Sequence, residues 1–421
     1  MRILWITNSL LPSIKEKLGI AKGASGGWMV AAANNLLNQH NDIELAIVST
    51  WNNITKGEVG DMKFYTIPAN IYDRKVSERK RIWNNIVNDF NPDIVHIHGT
   101  EFSHGLSYLE DVGGDNIVIS IQGLVGIIER YSLAGISTRD ILRNITLQEI
   151  LTRSMSGLRK SFKKQGEKEK EYIRKAKYVI GRTLWDKTHA KNINPKITYF
   201  HCNETLRASF YNAEWKDEAC TPHTIFFSQA ASPLKGLHVL LKALPIIKRE
   251  FPDVKIRVAG RSIIRNESLR MKLRQGTYAK ILDKLIKRYD LKNNISFTGI
   301  LNEKAMLQEY LNANVFVCAS SIENSSNSIG EAQILGVPCV CSYVGGTPSI
   351  VEDGKTGIMY RFEEYEMLAH HIIEVFKNKE VASKIGKEAR IVALERHNAE
   401  NNTNKTFEIY KEIINNSKQN G

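Results

Sequence analysis

Along this chain, short apolar runs alternate with longer stretches in which apolar residues recur every three or four positions. Residues 2–8, 43–49, 93–98, 117–122, 178–181 and 197–202 read as buried strands, with helical patterns between most of them, one from about 28 to 39. A second set begins at 224–228 and continues through a helix with Leu237, Leu240, Leu241, Leu244 and Ile247 on one face, then strands at 255–259 and 315–319. Helices are expected over about 363–377 and 381–396, and Phe407, Tyr410, Ile413 and Ile414 have the spacing of one more. Continuous apolar strands alternating with helices predict an α/β fold built on parallel sheets covered on both faces.

A chain of 421 residues exceeds one ordinary core, so two domains are expected. The short, polar, charged run 213–222 reads as the linker between a domain over 1–212 and one over 223–396. Hydrophobic content of 42% and charged content of 24% are those of a soluble globular protein, and no window is apolar over 18 residues. The start, Met1-Arg2-Ile3-Leu4-Trp5-Ile6-Thr7-Asn8, turns polar too soon for a signal peptide, so the expected location is the cytoplasm or the cytoplasmic face of a membrane. Five cysteines without metal-ligand spacing read as free thiols in a reducing compartment.

The chemistry concentrates in Ser320-Ser321-Ile322-Glu323-Asn324-Ser325-Ser326-Asn327-Ser328-Ile329-Gly330-Glu331-Ala332. It reads as a strand end, a polar turn and a helix whose start, at Ser326, Asn327 and Ser328, offers backbone N–H groups and a positive dipole end to an anion. Glu323 and Glu331 bracket that start, where carboxylates can accept hydrogen bonds from sugar hydroxyls.

Two glutamates eight positions apart, followed by Gly336-Val337-Pro338, Gly345-Gly346-Thr347-Pro348 and Asp353-Gly354-Lys355-Thr356-Gly357, resemble the signature of the retaining glycosyltransferases of family 4 (group 1). The resemblance implies the GT-B architecture, two Rossmann-like parallel-sheet domains facing across a cleft, with the last helix, 397–421, returning to the first domain. It implies that Glu323 faces the donor sugar and Glu331 the ribose, and that Lys235, in the Lys235-Gly236 pair, contacts the donor's phosphates as a second catalytic residue. The family's arginine five positions before that lysine is here Ala230, which leaves Arg261 and Arg182 as candidate substitutes. A lysine at a helix start opposes the helix dipole, which favours an anionic partner.

In the first half, Gly23-Ala24-Ser25-Gly26-Gly27 joins a strand to a helix without the dinucleotide fingerprint, and Gly26 and Gly27 are candidate donor contacts. Ligands of parallel sheets bind outside the strands' carboxyl ends, which makes His98, Gln122 and Arg182 candidates for the acceptor side. His96, two positions before His98, reads as an interior histidine. Gln122 stands where the family more often has histidine, and it takes no proton at neutral pH.

The reading is a retaining hexosyltransferase that moves a sugar from a UDP- or GDP-sugar to a hydroxyl of a glycan or lipid-linked acceptor, as in polysaccharide, capsule or lipopolysaccharide assembly. With no Asp-x-Asp pair, no metal and no other cofactor are expected. The alternatives are a GT-B-type epimerase or phosphorylase, or a non-catalytic module on an anionic membrane. Of the net charge of +13, ten charges fall in residues 151–200, where fourteen Lys and Arg face four Asp and Glu. That basic stretch suits an anionic membrane surface or a phosphorylated acceptor; nucleic acid is discounted for want of interleaved aromatics.

Overall fold

In the computed structural model, which describes residues 1–20, 27–152, 154–264 and 275–419, eight strands pair into one sheet and six into another. The two sheets belong to separate units: unit 1 holds 1–127, 163–206 and 397–421, and unit 2 holds 128–162 and 207–396.

Unit 1 contains β1 (Arg2–Thr7), β2 (Glu44–Trp51), β3 (Thr55–Val59), β4 (Met62–Pro68), β5 (Ile94–His98), β6 (Ile117–Ser120), β7 (Tyr178–Gly181) and β8 (Thr198–His201), in the order β3-β4-β2-β1-β5-β6-β7-β8. Only β3 runs antiparallel to its neighbour. Side chains alternate between two cores, as a period of two requires. Leu4, Ile6, Val95 and Ile97 lie on one face; Ile3, Trp5, Ile94 and Val118 lie on the other. The helix Ala399–Gln419 covers the second face with Phe407, Ile409, Tyr410 and Ile413. Tyr410 fixes it there, since its hydroxyl accepts from Trp5 Nε1 at 3.1 Å and meets His96 Nδ1 at 2.5 Å.

Unit 2 contains β9 (Thr224–Phe227), β10 (Lys255–Val258), β11 (Ile295–Phe297), β12 (Val315–Cys318), β13 (Cys339–Ser342) and β14 (Ile358–Tyr360), ordered β11-β10-β9-β12-β13-β14 and all parallel. The expected α/β class and paired parallel sheets are therefore present. Strands β3 and β4 escape the periodicity reading because β3 is polar and half exposed; β11 and β14 escape it because each is three residues long.

The units are drawn differently from the expected domains. Residues 128–162 group with unit 2, where Ala134, Ile136 and Met155 are buried in its core and the backbone O of Ala134 lies 2.8 Å from His238 Nε2. The expected linker 213–222 is packed rather than free: Trp215 is buried, its ring N–H donating to Ala313 O at 2.7 Å and its backbone N–H to Leu335 O at 2.8 Å. A single aromatic anchor outweighs the polar residues around it.

The middle of the basic stretch forms the helix Ser154–Lys175. Its one deeply buried acid in unit 1, Glu169, accepts from Val125 N at 3.0 Å, Gly126 N at 2.9 Å and Thr100 Oγ1 at 2.8 Å, which ties the loops after β5 and β6 together. Gly166 lets the helix come this close, because a Cβ there would meet Gly126 Cα at 2.5 Å.

Burial leaves several ionisable groups of unit 1 neutral. It drives His96 well below the ordinary imidazole value, His98 down to about 3 and His104 down to about 4, and it raises Glu169 to about 7. Between these values and 6.5 the unfolded chain binds protons on three imidazoles that the folded unit does not, so stability is present above 6.5 and is lost as pH falls. Glu169 opposes this with one proton over the range from 4.5 to 7. The expected result is a lower melting temperature at pH 5 than at pH 7. A His104→Gln variant should show a shallower dependence, by about 1.4 kcal/mol for each pH unit in that window; equal slopes would contradict the assignment.

Candidate active site

The strand order of unit 2 reverses between β9 and β12, the kind of switch point at which parallel sheets bind ligands. After β9, the hydroxyl of Ser232 accepts from Leu234 N at 3.3 Å and opens a 3₁₀ turn, Pro233–Lys235. Gly236 follows with φ +77°, and a Cβ there would lie 1.6 Å from Ala319 O, so only glycine lets this turn rest on the end of β12. The close approach delivers Lys235 to Glu323, with Nζ 2.6 Å from Oε1.

Glu323 is held at several atoms. Ser320 Oγ donates to the same Oε1 at 2.7 Å, and Gly346 N donates to the Glu323 carbonyl at 2.9 Å. Gly345 has φ +50°, and a Cβ there would sit 2.0 Å from that carbonyl. Burial works against the Lys235 ammonium, but the adjacent carboxylate outweighs it and raises the pKa. The lysine expected to need an anionic ligand therefore already has a carboxylate from its own chain.

The helix Asn327–Leu335 begins four residues after Glu323. Ser326 is its N-cap, yet its side chain makes no capping hydrogen bond; its hydroxyl lies 2.9 Å from that of Ser328. Glu331 projects from this helix into a bidentate pair with Arg207, whose Nε and Nη2 donate at 2.7 and 2.6 Å. Tyr310 OH donates to Ser328 O at 3.1 Å and reaches Glu331 Oε2 at 3.5 Å. Burial pushes the Glu331 carboxyl up, and the Arg207 hydrogen bonds pull it back. Sequence reasoning missed Arg207, because it lies 124 positions away and in no motif. The only signal was chemical: a buried acid on an apolar helix needs a cation.

Arg261 is exposed on the loop after β10, and Ala230 is buried in the core. Gly26 lies outside the described residues, and Gly27 begins the helix Gly27–Gln39 of unit 1.

The three candidates on the acceptor side come together in unit 1. Strand order reverses there between β1 and β5, and a cavity of about 70 Å³ is lined by His98, Gln122 and Arg182 together with Trp5, Trp28 and Glu204. Arg182 is committed within it: Nη2 donates to Ile121 O at 2.8 Å and to Gln122 Oε1 at 3.1 Å, and Nη1 lies 2.6 Å from Glu204 Oε2. Its partners all belong to unit 1, whereas Ala230 lies in unit 2. His96 is satisfied, as expected, by Tyr410 and by Ser120 Oγ at 2.5 Å. His98 differs, for both its ring nitrogens lack a partner among the described residues, while its ring stacks on His96 at 3.8 Å and meets Trp5 at 4.6 Å. Kept neutral by burial and by the Arg182 charge, it offers one donor and one acceptor to a polar group.

Comparison with known proteins gives these features a context. Residues 214–392 match the family model described as glycosyl transferases group 1. Spore coat protein SA of Bacillus subtilis is 30% identical over 168 residues, 39% of this chain and 42% of that protein. The aligned stretch thus spans less than half the length of this relative. Among solved structures, sucrose-phosphate synthase from Thermosynechococcus elongatus superposes with a TM-score of 0.70 over 98% of both chains at 15% identity. Anabaena HepE, solved in complex with UDP-glucose, superposes with 0.64 over 97% of this chain and 99% of its own at 16% identity. Residues 214–392 are thus similar to the group 1 glycosyltransferases, in a chain whose two parallel-sheet units have the fold of the GT-B enzymes.

Proposed function

We propose that the chain is a retaining family 4 hexosyltransferase that carries a sugar from a nucleoside diphosphate sugar to a hydroxyl of a glycan or lipid-linked acceptor, without a metal ion. The observation that carries this reading is the 2.6 Å pair of Lys235 and Glu323 at the switch point, four residues before a helix start whose N-cap hydroxyl caps nothing. Lys235 and the helix start suit the charge that grows on a leaving diphosphate. Glu323, fixed by Ser320 and Gly346, suits a hydroxyl or the developing positive charge of the sugar. The bond from the anomeric carbon to the diphosphate breaks, the bond to the acceptor oxygen forms on the same face, and the acceptor's proton passes to the departing phosphate oxygen.

Glu331 keeps unused lone pairs beside the two that Arg207 occupies, so ribose hydroxyls can share it without breaking the pair. HepE's complex with UDP-glucose supports a UDP-sugar as the first donor to test. On the acceptor side, His98 and the Arg182–Gln122 pair supply polar contacts and two tryptophans supply apolar surface, a combination suited to a saccharide ring. No helix among the described residues is long and apolar enough to cross a membrane, so a lipid-linked acceptor would be met peripherally. Lys160, Lys163 and Lys164 are exposed on the basic helix and suit that surface, whereas Arg159 is paired with Glu129 at 2.7 Å.

A thermal-shift panel of UDP-, GDP- and ADP-sugars tests the donor. A true donor at one hundred times its dissociation constant stabilises by about 2.7 kcal/mol, and a panel without any shift would sink the reading. Transfer to a hydroxyl acceptor should persist in excess EDTA, with the product's anomeric configuration, read by proton NMR, the same as the donor's. Glu323→Gln should lower kcat by about 100-fold while donor affinity stays within a few-fold, because its partner is the sugar in the transition state. Arg207→Ala should cost about 3 kcal/mol in stability and weaken donor binding, since it leaves Glu331 buried and unpaired. A melting temperature unchanged by that substitution would show that the pair is not structural.

A further inference from the structure

Segment 138–151 of unit 2 exposes most of its aliphatic residues beside its charged ones. Its polar residues Asn144 and Glu149 are buried, Glu149 accepting from Met155 N at 3.0 Å and Asn144 Nδ2 donating to Asp140 O at 2.7 Å. Its aliphatic residues point out: Leu142 is 64% exposed, Ile145 43%, Leu147 57%, Ile150 60% and Leu151 75%. Five large aliphatic side chains are left in water within ten residues, and apolar exposure concentrated in one segment marks an interaction surface. The scaffold beneath them is anchored, with Ile141 packed on the unit 2 core and the Ile145 carbonyl accepting from Lys280 Nζ at 3.3 Å.

The rim is basic. Arg139 and Arg143 are exposed on the helix Thr138–Arg143, and the adjoining groove is lined by Arg143, Lys242, Lys284, Lys287 and Arg288. Of the nearby acids, Asp140 accepts from Ser137 and Asp283 pairs with Lys287. A second copy of the chain would bring the same positive rim against itself, which opposes a symmetric dimer through this face. Single-stranded nucleic acid would use stacking aromatics, and this patch is aliphatic. Aliphatic side chains ringed by lysine and arginine match the acyl boundary and phosphates of an anionic bilayer.

We infer that segment 138–151 seats its exposed aliphatic side chains in the interfacial layer of an anionic lipid bilayer, with lipid phosphates received by the adjoining basic groove. This rests on the reading of a lipid-linked acceptor and names the surface that meets the lipid. It adds an apolar component, which salt does not screen, to the electrostatic attachment offered by the helix Ser154–Lys175.

The test is co-sedimentation of the full chain with phosphatidylcholine vesicles, with and without phosphatidylglycerol, in rising NaCl. The parent should bind the anionic vesicles and stay partly bound in about 0.5 M salt. Replacing Leu142, Leu147, Ile150 and Leu151 with Ser should weaken binding at least tenfold (about 10-fold or more) and make the remainder fully salt-releasable, with the thermal shift by UDP-glucose unchanged. The single change Leu151→Asp should lower binding in the same direction should the fourfold variant fold poorly. Parental binding by the aliphatic variants overturns the inference, as does a dimer of the parent that those variants dissolve without vesicle binding. Loss of binding on changing Lys160, Lys163 and Lys164 to Ser, with none in the aliphatic variants, overturns it while leaving the lipid-linked acceptor standing. A parent that binds no vesicle overturns both.

Discussion

The contact on which the second unit's chemistry depends is the rest of Gly236 against the carbonyl of Ala319. Were a side chain present at 236, its Cβ would lie 1.6 Å from that oxygen, and the turn after β9 would have to lift away from β12. Lys235 would then leave Glu323. One glycine with positive φ thus converts two strand ends into an ion pair, and Gly345 performs the matching service on the other side of Glu323. The catalytic candidates are positioned by main chain meeting main chain, which is stiffer than positioning through long side chains.

Three acids, Glu331 and Glu169 buried and Glu323 half-buried, are each answered differently, and the answers distinguish their roles. Glu331 has a bidentate arginine, Glu169 has three donors and no cation, and Glu323 has a lysine and a serine. A bidentate guanidinium fixes both oxygens in one plane and opposes the rise that burial imposes on the Glu331 carboxyl. Donors without a cation leave burial dominant, and Glu169 rises towards neutrality. Lysine is a rotatable point charge on a flexible stem, so the Lys235–Glu323 pair is the one best able to rearrange around an arriving ligand. In unit 1 the same low-dielectric logic leaves His98 neutral and unpartnered among the described residues, beside an arginine already spent on Gln122 and Glu204.

The organisation of the units shows how tertiary contacts redraw a sequence map. Residues 128–162 lie between β6 and β7 of unit 1 in sequence, yet Ala134, Ile136 and Met155 find their apolar neighbours in unit 2. The helix Ala399–Gln419 follows unit 2 and covers the sheet of unit 1, because Phe407, Ile409, Tyr410 and Ile413 complete that face. Burial of apolar area decides membership, and it takes no account of order along the chain.

Sequence alone determined most of the parallel strands of both units, since a strand buried on both faces is written as an unbroken apolar run; β4, β11 and β14 came only with the structure. It also singled out the helix start at 326–328 with Glu323 and Glu331 around it, while Lys235 came into view only through the resemblance to a family. It brought His98, Gln122 and Arg182 into view as strand-end residues, though not the fact that Arg182 holds Gln122 and Glu204. Only the tertiary structure supplied Arg207 for Glu331, gave Lys235 its carboxylate, moved 128–162 into unit 2 and turned Leu142, Ile145, Ile150 and Leu151 to solvent. The physical reason is common to all four: pairing and burial are set by distance in space, and local patterns in a chain encode which conformation a segment takes rather than which distant residue it meets.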